Sequence, residues 1–125
     1  MAKGQDCTLV KAEERNPDNA PTPGMYRQVG IDGTNSGASR IFIGYGTAEA
    51  GTVSAKHHHG EAETASYIIS GRLRVYWGDD YQQYIEAGPG DFLFVPAEVN
   101  HYEECLEDVA AIVSRSPANI VVNFE

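Results

Sequence analysis

From Arg40 onward this chain is written in short apolar runs: "RIFIGYG", "TVSAKHHH", "TASYIIS", "LRVYW", "YQQYIE", "DFLFVP", "HYEECL", "VAAIVS" and "NIVVNF". Between them stand "EAG", "SG", "GDD" and "EAGPG", turn signals in which Gly and Asp tolerate backbone angles that other residues avoid. No window sustains a helical period over three turns. Many short strands at roughly 8–12-residue spacing predict an all-β sandwich or barrel.

The chain has 125 residues, enough for one domain that buries roughly two-thirds of its unfolded surface. Before residue 40 the texture differs. "NPDNAPTPG" and "IDGTNSGAS" read as an irregular arm, 1–39, with one short strand around Met25 to Val29; residues 40–125 form the barrel. Lys and Arg number 9 and Asp and Glu 18, a net charge of −9. That balance repels nucleic acid and anionic membranes, so neither is expected as a partner. The first 21 residues lack the apolar centre of a signal peptide, and the expected location is the cytoplasm. In a reducing compartment Cys7 and Cys105 are expected to be free thiols.

Three of the four histidines are adjacent, at 57, 58 and 59, and the fourth is His101. On a strand, alternate side chains share a face, so His57 and His59 point one way and His58 the other. Two imidazoles about 6.7 Å apart along a strand can lean onto one ion at about 2.0–2.1 Å. Glu63 follows across the short "GEA" turn, and the next strand can return its carboxylate to the same place. His101, after a strand and a proline, is the remaining imidazole that could close the site.

Here the sequence resembles a known family. Gly51, five residues, then His57-x-His59-x-x-x-Glu63 and Gly71 is similar to the first motif of the cupins. Gly90, five residues, Pro96 and His101 is similar to the second, and the 18 residues between Gly71 and Gly90 resemble the spacing of small single-domain bacterial cupins of the RmlC-like kind. The resemblance implies a double-stranded β-helix barrel, with a metal held by His57, His59, Glu63 and His101. It also implies a homodimer in which the N-terminal arm packs on a neighbouring subunit. Three positions depart from the pattern. Seven residues, rather than six, separate Glu63 from Gly71; this implies a bulge, and an alternative alignment places Thr64 at the ligand position. Glu98 stands where the second motif usually has Gly, and Cys105 where the family often has Asn.

Three imidazoles and one carboxylate suit one divalent transition metal: Mn, Fe, Ni, Co, Cu or Zn, with Mn or Fe favoured by resemblance to the oxalate-processing cupins. Such an ion polarises a chelating small organic molecule. The expected function is a metal-dependent enzyme of the dioxygenase, decarboxylase, lyase or isomerase class. The alternatives are a metal-containing binding or sensing protein without turnover, and a metal-free barrel acting through its surface. Glu103 shares the strand face of His101 and is the candidate general base, against the plainer reading of a carboxylate at the rim. By the same parity Cys105 points inward, and Tyr67, with the parity of Glu63, is a candidate for the cavity wall.

Overall fold

The structure, a computed structural model, describes residues 6–18, 23–117 and 122–123. Within them the strands are β1 Asn16–Asp18, β2 Met25–Ile31, β3 Phe42–Ala48, β4 His57–His58, β5 Glu63–Ser70, β6 Leu73–Trp77, β7 Gln83–Ala87, β8 Phe92–Val95, β9 His101–Cys105, β10 Val109–Ser116 and β11 Val122–Asn123. Two single 3₁₀ turns, Ala12–Glu14 and Asp79–Tyr81, are the helical content of the described residues. Each expected run from 40 to 117 contains a strand. Of the last run, "NIVVNF", only Val122 and Asn123 lie within the described residues.

The strands form two antiparallel sheets, one in the order β1-β2-β3-β10-β5-β8 and the other β11-β4-β9-β6-β7. Sequence neighbours β5 and β6 fall in different sheets, as do β7 and β8, the winding expected of a double-stranded β-helix. The arm contributes more than one strand. β2 pairs along β3 from Met25↔Ala48 to Ile31↔Ile43, and β1 pairs on β2.

Alternation decides what lies between the sheets. On β10 the inward residues are Val109, Ala111, Val113 and Arg115; on β5 they are Thr64, Ser66 and Ile68; on β8, Leu93 and Val95. Opposite them, Leu73 and Val75 of β6 pair with Cys105 and Glu103 of β9. Ile68, Leu73, Val75, Ala87, Leu93, Cys105, Val109 and Ala111 form the apolar core. β-branched residues suit this pleated, half-buried surface, and their burial supplies the driving force.

The connection β5–β6 turns at Gly71, whose φ is +83°. A Cβ there would overlap the carbonyl oxygen of Asp108, so both the backbone angle and the crowding demand glycine. The bulge expected before Gly71 is present in β5. In the β5–β10 ladder Ala111 faces Ile68 while Ala110 faces Ser70, so Ile69 bulges out of register.

Candidate metal centre

β4 and β9 meet through a single pair, His57 opposite His101. That pairing, continued by the hydrogen bonds of Ser54 N–H to the Glu103 carbonyl and Gly51 N–H to the Cys105 carbonyl, brings the two motifs together. The ring centroids of His57 and His101 are 4.3 Å apart, His59 lies 5.1 Å from His57 and 4.9 Å from His101, and one ring nitrogen of each falls within 4.8 Å of the other two. All three are buried; His101 is 0% exposed.

Each ring is steered through Nδ1. His57 Nδ1 donates to the carbonyl oxygen of Ala55 at 2.7 Å, and His101 Nδ1 to that of Val99 at 2.9 Å, the same two-residue reach at the start of each strand. His59 Nδ1 is 2.8 Å from Thr64 Oγ1. With the proton on Nδ1, the Nε2 atoms of His57 and His101 present lone pairs to the shared centre, the tautomer that an outer acceptor selects at metal-binding histidines, and that of His59 lies 3.4 Å from an Nη of Arg115. His101 Nε2 is buried with no hydrogen-bond partner, a costly state for a polar atom unless something else satisfies it. The donor set fits a borderline divalent ion, to which neutral imidazole nitrogen is well matched.

The electrostatics favour the ligating form. Burial lowers the pKa of His57 despite the help its proton receives from the Ala55 carbonyl and Glu103. His59 is pushed down to about 2, by burial first and then by the neighbouring charge of Arg115 and the other two rings. Both rings are therefore neutral at ordinary pH.

The fourth ligand expected from the resemblance, Glu63, is not brought to the trio. The chain turns tightly after His59, with Ala62 N–H donating to the His59 carbonyl at 3.0 Å and Gly60 at φ +59°. β5 then starts with Glu63 exposed on the outer face and Thr64 buried on the inner one. The turn takes one residue more than the His57-x-His59-x-x-x-Glu63 spacing assumes, and the inward place falls to Thr64. Tyr67 is turned outward by the same parity and packs on Phe92 with centroids 4.9 Å apart, so it does not line the cavity.

Glu103 is placed beside the trio. Its Oε2 lies 3.7 Å from His101 Nε2, and its side chain retains 28% exposure. Burial raises its pKa, but the contact with His101, with His57 and the Arg115 guanidinium nearby, outweighs that and holds it at about 2, a carboxylate. Cys105, also inward, is part of the core; its thiol is raised to about 11 by burial and by Glu103 and Glu104. His58 faces away, and its Nδ1 accepts the Gly60 N–H at 2.9 Å.

Arg115 went unnoticed in the sequence. It is buried at the end of β10, its Nε donates to Thr64 Oγ1 at 3.2 Å, and an Nη lies 3.4 Å from His59 Nε2. Only the alternation of "VAAIVSR" could have flagged it, as an arginine with the parity of the core valines. A cavity of about 140 Å³ opens between the sheets, with His57, Thr64, Glu103 and Arg115 in its wall. A second, of about 280 Å³, lies beyond Val95 and His101 and is otherwise lined by apolar groups such as Val75, Trp77 and Ile85.

Two stacked antiparallel sheets with three imidazoles turned into the space between them define an all-β barrel with a candidate metal centre. The chain belongs to the cupin family, whose cupin-domain model matches residues 44–115. Solved structures agree on the fold. The polyketide cyclase RemF from Streptomyces resistomycificus aligns with a TM-score of 0.77 at 18% identity, over 96% of this chain and 87% of that one. An RmlC-like cupin from Shewanella frigidimarina gives 0.70 at 21% identity over 91% and 94%. The Bacillus subtilis oxalate decarboxylase, which has Mn(II) centres, gives 0.72 at 23% identity over 90% of this chain and 30% of that longer one. No curated protein matches the sequence. Among the described residues no helix is long and apolar enough to cross a membrane.

Proposed function

We propose that this cupin is a metal-dependent enzyme acting on a small organic molecule, with His57, His59 and His101 holding one divalent transition metal, manganese or iron before nickel, cobalt, copper or zinc. The observation that carries the reading is His101 Nε2, buried without a partner and converging with two like atoms. A bound ion would supply Lewis-acid polarisation of a chelating oxygen. The chain's own residues do the rest: Ala55, Val99 and Thr64 fix the rings, and the Glu103 carboxylate stands where it can take a proton from a bound molecule. An oxalate decarboxylase and a polyketide cyclase among the structural neighbours are in keeping with a small organic substrate; the dioxygenase, lyase and isomerase classes share the same demands on the site.

The experiment is metal analysis of untagged protein after exposure to Mn(II) and Fe(II), followed by turnover assays on keto acids, hydroxy acids and catechols. One equivalent of metal is expected in the wild type and less than about a tenth in His101→Ala, which removes one of three ligands. Full stoichiometry in His101→Ala would sink the assignment. Metal uptake with no turnover across the panel favours the alternative, a metal-containing binding or sensing protein.

We further propose a cytoplasmic protein with no nucleic-acid or membrane partner, in keeping with its net charge of −9. It is taken to work as a homodimer. Support comes from β8, an edge strand among the described residues, which exposes Phe92 and Phe94 at 79% and 57% beside Tyr67 and Ile69. Such a face on an edge invites a second copy, since a two-fold pairing lets one patch serve both partners.

A further inference from the structure

The cavity beside the histidines has two chemically different ends. β10 runs along it from Val109 to Arg115, about 20 Å at about 3.3 Å per residue. Near Val109 the wall is apolar, with Ile68, Leu73 and Leu93. Near Arg115 it carries the guanidinium, the Thr64 hydroxyl, the Glu103 carboxylate and the imidazole of His57. Arg27 of β2 also lines this cavity, and its guanidinium and that of Arg115 both lie over the Phe42 ring, at 5.5 and 5.9 Å from its centroid. Two of the chain's nine basic residues thus face inward in a protein of net charge −9. Guanidiniums in the wall offer an anion a partner that the acidic exterior does not.

We propose that Arg115 receives the anionic head of the ligand, and that the ligand is a small monocarboxylic acid with an oxygen next to the carboxylate and a short apolar tail. The position of the guanidinium ties head to centre: an Nη is 3.4 Å from His59 Nε2, so a carboxylate paired with Arg115 lies alongside the nitrogens of the trio. Planar, forked donors suit a carboxylate better than a point charge does. Three neutral imidazoles bring no compensating charge to a dication, and Glu103 supplies one negative charge; an anionic ligand adds a second. The apolar wall next to Arg115, Val113 two residues back along β10 and Val95 opposite Thr64, takes the tail. At about 140 Å³ the cavity is near the roughly 150 Å³ that accommodates benzene, which limits the ligand to a handful of heavy atoms. The second cavity, larger but lined by apolar groups apart from His101, offers no such partner for an anion.

This inference rests on the metal reading for its geometry, yet the acid-binding step can be tested apart from it. The probes are unbranched 2-oxo acids from pyruvate to 2-oxohexanoate, each compared with its neutral amide, titrated calorimetrically into Co(II)-loaded and chelator-treated protein. The acids are expected to bind at least about ten-fold more tightly than their amides, the contribution of one charge-assisted pair. In chelator-treated protein, where no metal favours the carboxylate, Arg115→Met should erase that preference and Arg115→Lys should retain part of it, while Co(II) stoichiometry in loaded Arg115→Met stays at one. Equal affinity for acid and amide in the wild type overturns the proposal. So does an unchanged preference in Arg115→Met, or failure of every acid to bind more tightly than about 1 mM. The acid–amide comparison needs no variant, so misfolding of Arg115→Met leaves the test standing. A wild type that takes up no Co(II) refutes the metal reading instead, and the titration of chelator-treated protein still decides the role of Arg115.

Discussion

Thr64 occupies the position at which the cupin resemblance leads one to expect a carboxylate, and the exchange changes what the site can do. A hydroxyl that touches His59 Nδ1 orients a ligand instead of being one. Removing it in Thr64→Val is expected to weaken metal binding about 10–100-fold. Glu63→Gln should leave metal binding as it is, because that side chain is outside the cavity. Competition against a chromogenic chelator measures both; loss of metal in Glu63→Gln would restore the carboxylate to the ligand set. The histidines also set a pH dependence. His59 has a folded pKa of about 2 against the ordinary 6.5 of an imidazole, and His57 is lowered as well. Below pH ~6.5 the unfolded chain binds protons that the fold refuses, so stability is lost as pH falls from there toward the folded values. Glu103, at about 2 against 4.5, acts in the same direction below pH ~4.5. The melting temperature of chelator-treated protein should therefore drop between pH 7 and pH 5; a flat profile would mean that both rings take up protons in the fold as readily as in the unfolded chain.

At the scale of elements, the strands were legible because their punctuation has a mechanism. Gly71 closes one such break at φ +83° against the Asp108 carbonyl. Gly71→Ala is expected to cost at least about 2 kcal/mol, from backbone strain and steric overlap together, as measured by urea unfolding. A loss within about 0.5 kcal/mol, the range of ordinary surface changes, would show that the turn rearranges freely. Strand parity made His57 and His59 legible as a same-face pair, while the convergence of His101 on them came from the resemblance of the two motifs and not from local pattern. The carboxylate was not legible. A single residue in the turn from His59 to Ala62 inverts the parity of everything after it, and composition says nothing about that residue's place. Arg115 was hidden for the opposite reason, in that a charged residue at the end of an apolar strand reads as solvent-facing until the opposing sheet is in position. The pairing of β1 with β2 went unseen too, in a stretch whose Pro and Asn content signals irregular chain.

For the whole molecule the open question is what covers the outer face at β8. Phe92→Glu with Phe94→Glu places charges where a second copy is expected to pack, and should convert a dimer to a monomer in light scattering, with metal content unchanged. A wild type that is monomeric at micromolar concentration, or a dimer indifferent to both substitutions, removes that face from the assembly. Within each barrel, two of the three rings take their aim from main-chain carbonyls, which no codon change can delete, and the third takes it from a hydroxyl that one substitution abolishes. Retuning the aim of these rings by point mutation is thereby channelled through residue 64, the single adjustable screw on an otherwise welded mount.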